Sequence, residues 1–227
     1  MSFMKKLALG IYGAGGLGLE VMSLVPTVLN ETFPGFNQRD IYCCFIDDNV
    51  TDSRLLNREV LTPKDFLGLN NFNLSYTIAI ADPKARERIS KSKGFDNMHA
   101  ASLIFSKTSN CFQNKIGRGV IIMPGAVIST MVTVGDFTIV NFNTYIAHNC
   151  YIGNYVTISP SVVCCGYVKV EDSVFIGAGS NIINGTREKN IILNKNSKLG
   201  MGSNLLNDTE SDQVYVGNPA KPIKIRK

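Results

Sequence analysis

Histidine is scarce in this chain: among its 227 residues there are two, His99 and His148. Cysteine is present six times, and four of these form adjacent pairs, Cys43-Cys44 and Cys164-Cys165, with no CxxC and no Cys/His cluster at zinc spacing. No metal is therefore expected, and buried, reduced thiols of a cytosolic protein are the better reading of the cysteines. No apolar run is long enough to cross a bilayer, so no membrane insertion is expected. The opening MSFMKKLALGIYG has two lysines and an apolar run, but the run is short and breaks into glycines rather than a cleavage site. A soluble, cytoplasmic protein is expected. Net charge is +5, yet no basic stripe is interleaved with aromatics, which argues against a nucleic-acid surface. Basic residues gather only at the end, in Lys221, Lys224, Arg226 and Lys227. That tail suits either contact with an anion such as phosphate or plain solvation.

What is there is a repeat. Stepping by six from Ile116 meets Ile122, Ile128, Val134, Val140, Ile146, Ile152, Ile158, Cys164, Val170, Ile176 and Ile182, all apolar. Four residues after each comes a small or β-branched one, as in Val120, Ala126, Thr138, Thr144 and Cys150. Glycine often follows the first position (Gly117, Gly135, Gly153, Gly177), with Asp136, Asn154 or Asp172 beside it. Neither a helix nor an alternating strand has this period. Short strands joined by tight corners do, with the aliphatic and the small residue inward and the Gly and Asn giving the corners their positive φ. Stacked coils then share one core. Between Ile182 and Leu193 the spacing is eleven residues instead of six, so the loop over 183–191 is extruded.

Residues 1–102 lack the period. KLALGIYGAGGLGLEVMSLV reads as a strand, a glycine turn and a helix to about Leu29. IYCCFIDDN is a second strand ending in Asp47 and Asp48; LTPKDFL opens a helix at Thr62-Pro63. YTIAIADPKARERI is a third strand followed by a helix with Asp82 as cap. The order βαβαβα makes a small parallel sheet. The loop of Gly13, Ala14, Gly15 and Gly16 can present backbone N–H groups to phosphate, and the carboxylates can take a ribose hydroxyl. The glycines equally suit a tight turn packing helix on strand, and the carboxylates a solvated strand end. Only half of a Rossmann fold fits here, so a mononucleotide attached to something else suits the space better than a dinucleotide.

The hexads resemble those of the left-handed parallel β-helix acyltransferases. IYGAGGLG, FIDD, IAIADPKAR, the hexapeptide region and VYVGNPAKPI, in that order over nearly the whole chain, resemble the bacterial sugar acyltransferases of the NeuD-like and PglD-like kind. The resemblance implies an α/β half-Rossmann nucleotide-sugar-binding domain over 1–102 and a left-handed β-helix catalytic domain over 103–227. It also implies acetyl-CoA as cosubstrate and a homotrimer with active sites between subunits.

The family carries a histidine within a motif like x-x-H-[DE]-C-x-I-G, and His148, Cys150 and Ile152-Gly153 match it. The resemblance makes His148 the general base that takes a proton from the attacking amine, since imidazole titrates near neutrality. Asn149 stands where relatives mostly have Asp or Glu; it can orient the ring but adds no charge. The resemblance places Gly166 where its N–H would meet the oxyanion. It puts Asn141 near the acyl group, Thr157 where some members have a second His, and Gly166, Ala178 and Gly200 along the pantetheine groove. VGNPAK, with Gly217 and Lys221, falls near CoA. Gly13 to Gly16, Asp47 and Asp48 would hold the nucleotide sugar; many relatives have His where Leu17 stands.

The expectation is therefore an acetyl-CoA-dependent N-acetyltransferase of a nucleotide-linked amino sugar, a UDP-4-amino-4,6-dideoxyhexose, serving surface-glycan synthesis. The alternatives are O-acetylation of a sialic-acid-like sugar, a non-catalytic β-helix scaffold, and an NAD-binding regulatory protein.

Overall fold

A computed structural model describes residues 6–107 and 112–223. Lys224, Arg226 and Lys227 of the basic tail lie outside the described residues. Two compact units are present: one reaches Leu103, and the other comprises Asp82–Lys84 and the chain from Ile104 on.

The first unit runs β1 (Lys6–Tyr12), α1 (Gly16–Leu24), α2 (Leu29–Thr32), β2 (Ile41–Ile46), β3 (Arg54–Leu55), β4 (Arg58–Leu61), α3 (Pro63–Leu67), β5 (Phe72–Ile78), α4 (Pro83–Ser90, from Ala85 on in this unit) and β6 (His99–Ala100). Its sheet has the order β3-β4-β2-β1-β5-β6, with β1 parallel to both neighbours and only β3 antiparallel to β4. The helix expected to reach Leu29 ends at Leu24. Pro26 has no N–H to give, and a 3-10 turn over Val25–Thr27 intervenes before α2. Thr62 caps α3 as expected, accepting from the Asp65 N–H. The central strands β1 and β2 and the second half of β5 are buried, with Leu9, Ile11, Phe45 and Tyr76 fully enclosed. Burial on both faces is the mark of a parallel sheet covered by helices.

In the second unit each coil takes three hexads and stacks on the coil eighteen residues away. Val134, for example, lies between Ile116 and Ile152. Three parallel faces result. The first holds strands 115–116, 133–134, 151–152, 168–170 and 191–193. The second runs from 103–104 through 121–122, 139–140, 157–158, 175–176 and 198–199 to 214–216. The third holds 127–128, 145–146, 163–164, 181–182 and 204–205. This is a left-handed parallel β-helix. Its core is the predicted column of first and fifth hexad positions, from Val120 and Ile122 to Leu199. Strand Lys221–Ile223 turns back antiparallel on Val214–Val216 and ends the second face.

The corners differ from expectation in one respect. Positive φ falls on the fourth hexad position: Met131, Phe137, Asn143, Asn149, Tyr155, Ser161, Tyr167 and Ser173 all lie between 54° and 59°. Gly117, Gly135, Gly153 and Gly177 are glycine for a different reason. A Cβ on Gly135 would come within 2.6 Å of the Gly153 carbonyl carbon, and one on Gly177 within 2.5 Å of the Met201 nitrogen. Coils about 4.8 Å apart leave no room for it. Asp136, Asn154 and Asp172 form a ladder: the N–H groups of Arg118, Asp136 and Asn154 donate to the side chain one coil on at 3.0, 2.8 and 2.7 Å. The extruded loop leaves after Ile182, as expected, and rejoins at Ile191, the last residue of the expected 183–191 span, which already belongs to strand Ile191–Leu193. Among the described residues no helix is long and apolar enough to cross a membrane.

Candidate functional site

His148 occupies the corner between the third and first faces, just after strand Tyr145–Ile146. It is the third residue of its hexad, which points it out of the coil, and it is exposed. Asn149, next in line, takes the left-handed corner conformation that Asn tolerates better than most residues (φ 59°). That turn brings its Oδ1 to 2.9 Å from His148 Nδ1. An amide oxygen only accepts, so Nδ1 carries the proton, and the neutral ring keeps its free lone pair on Nε2. The Asn149 Nδ2 group faces Met131 Sδ at 3.6 Å, which suits the same amide orientation.

One coil on, Gly166 lies directly against the imidazole. A Cβ there would be 2.7 Å from Cε1 and 3.0 Å from Nε2. No hydrogen bond is made by the Gly166 N–H among the described residues, while its carbonyl accepts from Gly185 at 3.0 Å. A ring with a free basic nitrogen and an unoccupied backbone donor thus share one corner. The extruded loop rises from this same corner, one coil beyond Gly166.

The other predicted residues of this unit lie elsewhere. Asn141, Ala178 and Gly200 line the corner between the second and third faces. Gly217 (φ 95°) and Lys221 adjoin Gly200: a Gly200 Cβ would be 2.7 Å from Val216 Cγ1, and Gly217 donates to Ser203 Oγ at 3.1 Å. Lys221 is exposed. One side of a coil is six residues, about 20 Å when extended. Within one chain the His148 corner and the Asn141 corner are opposite edges of the third face, and one acetyl group cannot touch both. Thr157 sits on the second face and is 3% exposed, so it lines no open groove of this chain.

In the first unit the four glycines of the loop separate into two kinds. Gly13 (φ 108°) and Gly18 are packed, since a Cβ on either would strike Ala79 and Ile80 or the Gly13 carbonyl. Gly15 and Gly16 meet nothing within 4 Å and have no positive φ. The chain itself does not require glycine there, whereas a ligand approaching the backbone at the start of α1 would. Asp47 is engaged within the protein: its carboxylate accepts from the Ala14 N–H at 3.0 Å and the Asn49 N–H at 2.9 Å. It braces the glycine loop. Asp48 is exposed and accepts from the Tyr12 hydroxyl at 2.6 Å through one carboxylate oxygen. Burial, with Asp48 second, pushes the Tyr12 hydroxyl up, so it stays a donor. Tyr12, Asp48, Arg88 and Lys93 line a cavity of about 270 Å³.

Sequence reasoning missed Tyr12, Arg88 and Tyr167. The repeat held the signal for Tyr167, which lies one full coil after Asn149. Its ring stands edge to face with His148, centroids 5.4 Å apart. The other histidine, His99, bonds Ser75 Oγ at 2.9 Å. Among the described residues no three His, Cys, Asp or Glu side chains are grouped to hold a metal ion.

No family model matches the chain. It is 35% identical over 221 residues to GDP-perosamine N-acetyltransferase of Escherichia coli O157:H7, covering 95% of this chain and 96% of the relative. Among solved structures, WeeI from Acinetobacter baumannii AYE superposes with a TM-score of 0.83 at 31% identity, over 96% of this chain and all (100%) of the other. PerB from Caulobacter crescentus, solved with CoA and GDP-perosamine, gives a TM-score of 0.80 at 21% identity, over 96% and 97% of the two chains; at that identity it bears on the fold.

Proposed function

Because the chain belongs to the bacterial sugar acetyltransferases of the hexapeptide-repeat family, using acetyl-CoA to acetylate a nucleotide-linked amino sugar, we propose that its acceptor is a GDP-linked 4-amino-4,6-dideoxyhexose and its base is His148. The 35% identical relative is a GDP-perosamine N-acetyltransferase, and this moves the preferred nucleotide from the UDP expected from sequence to GDP.

The observation that supports the base is the Asn149 Oδ1 to His148 Nδ1 bond. The neutral amine adds to the thioester carbonyl, a C–N bond forms, and Nε2 accepts the amine proton. The oxyanion forms within reach of the Gly166 N–H. The C–S bond then breaks, and the departing thiolate recovers the proton from the imidazolium. Amide and CoA are the products. A primary amine is a good nucleophile, so a base oriented by neutral Asn149 is adequate for it.

The separation of the His148 and Asn141 corners supports sites completed between copies of the chain. One copy's base corner would meet the neighbour's Asn141, Ala178, Gly200 and Lys221, as in a homotrimer. Gly15 and Gly16 would cradle the diphosphate, and Asp48 would meet the base or ribose, with Asp47 holding the loop.

The test is thiol release from acetyl-CoA with GDP-, dTDP- and UDP-4-amino-4,6-dideoxyhexoses and free sialic acid. Release with the GDP sugar above the others is expected. Release with sialic acid alone would replace this reading with O-acetylation.

A further inference from the structure

We infer that Tyr167 is a positioning residue for His148, its ring fixing the imidazole and stabilising the imidazolium formed when the base takes a proton. The inference rests on the reading of His148 as the base. The two rings are 85° apart in plane with centroids at 5.4 Å, inside the distance at which an aromatic ring attracts a cation. Asn149 holds Nδ1 but carries no charge to balance an imidazolium.

Three of the described residues contact the ring: Asn149 from its own coil, and Gly166 and Tyr167 from the coil above. No salt bridge involves His148 among the described residues, and no carboxylate is in this set. Among the described residues, Tyr167 is the aromatic ring that stands edge to face with the imidazole.

The backbone holds Tyr167 in place from both sides. Its N–H donates to the His148 carbonyl at 3.2 Å, and its carbonyl accepts from Ile191 N–H at 3.2 Å, where the extruded loop returns. At the loop's other root Gly185 donates to the Gly166 carbonyl, and a Cβ on Gly185 would strike the Tyr167 oxygen. The loop over 183–190 thus clamps Gly166 and Tyr167 above the base. The corner itself does not need an aromatic residue: Ser161 and Ser173 occupy the same hexad position at φ 59°.

That equivalence makes Tyr167→Ser a ring-free variant suited to the backbone, with Tyr167→Phe as the conservative control. With two histidines in the chain, NMR titration resolves His148 directly, independent of turnover. The serine variant is expected to lower the His148 midpoint by about half a pH unit, as befits an exposed cation–ring contact, and the phenylalanine variant to leave it in place. In turnover, serine should cut kcat about tenfold with KM for acetyl-CoA unchanged, and move the acid limb of kcat/KM down with the NMR midpoint. An unmoved midpoint in the serine variant overturns the inference, even if the rate falls, because packing alone would then explain the loss. A phenylalanine variant as impaired as serine also overturns it, because the hydroxyl would then be the working group. A shifted midpoint in a protein that acetylates no GDP-linked amino sugar would keep the ring contact and remove the proposed function.

Discussion

Asn149 Oδ1 accepts from His148 Nδ1 at 2.9 Å, across a corner where Asn149 itself adopts φ 59°. One residue thus makes the turn and selects the tautomer. An aspartate can keep the geometry and add charge. Asn149→Asp should raise the imidazole pKa, because a neighbouring carboxylate favours the charged form. Only the neutral ring accepts a proton, so the acid limb of kcat/KM should move to higher pH by about one unit. Superimposable profiles for the two proteins would remove Asn149 from its orienting role.

His148→Ala should lose about a hundredfold to ten-thousandfold in kcat, the range of a lost general base. The side chain is exposed, so the unfolding midpoint should hardly change. Acetylation at the normal rate by this variant would rule out the mechanism.

Gly166→Ala puts a methyl 2.7 Å from the imidazole Cε1. The ring must swing away, and misplacing a reacting group by about an ångström can cost a hundredfold. The expected phenotype is a fall in kcat with acetyl-CoA binding, measured by calorimetry, largely kept.

Gly15→Ala separates fold from ligand in the first unit. Its new Cβ meets no atom of the chain within 4 Å, so thermal stability should fall only by the small cost of Ala at the N-cap of α1, about 1 kcal/mol or less. Affinity for GDP should fall at least about tenfold if phosphate oxygens approach this backbone. Equal GDP affinity in the two proteins would place the nucleotide elsewhere.

Burial pushes the Cys44 thiol up to about 12 from the usual 9.0. The folded chain then keeps a proton that the unfolded chain releases. Stability from this source is full below about pH 9 and falls as pH rises toward 12, by up to about 4 kcal/mol. Urea titrations at pH 8 and pH 10.5 should show a steep loss in the wild type and a shallower one in Cys44→Ala, whatever that variant loses at both pH values.

The hexapeptide sequence by itself determined the β-helix and its core. A six-residue side admits one large inward residue and one small one, and no other regular structure repeats that demand. It likewise determined the strand, glycine loop and helix at the start, where Gly18 is fixed by local contact with the Gly13 carbonyl. Tertiary structure alone decided the rest. A period of six says which residues point inward, but closure of the coil at eighteen says which corners stack. Only that closure sets Gly166 and Tyr167 against His148, gives Gly135 and Gly153 a steric role in place of a conformational one, and puts Asn141 on the far edge of the face from the base. Asp47 shows the same limit: its pattern reads as a ligand for ribose, and the bond it accepts from the Ala14 N–H appears only when β2 lies beside the glycine loop. Side-chain type is local, whereas hydrogen-bond register between segments distant in sequence is a property of the fold.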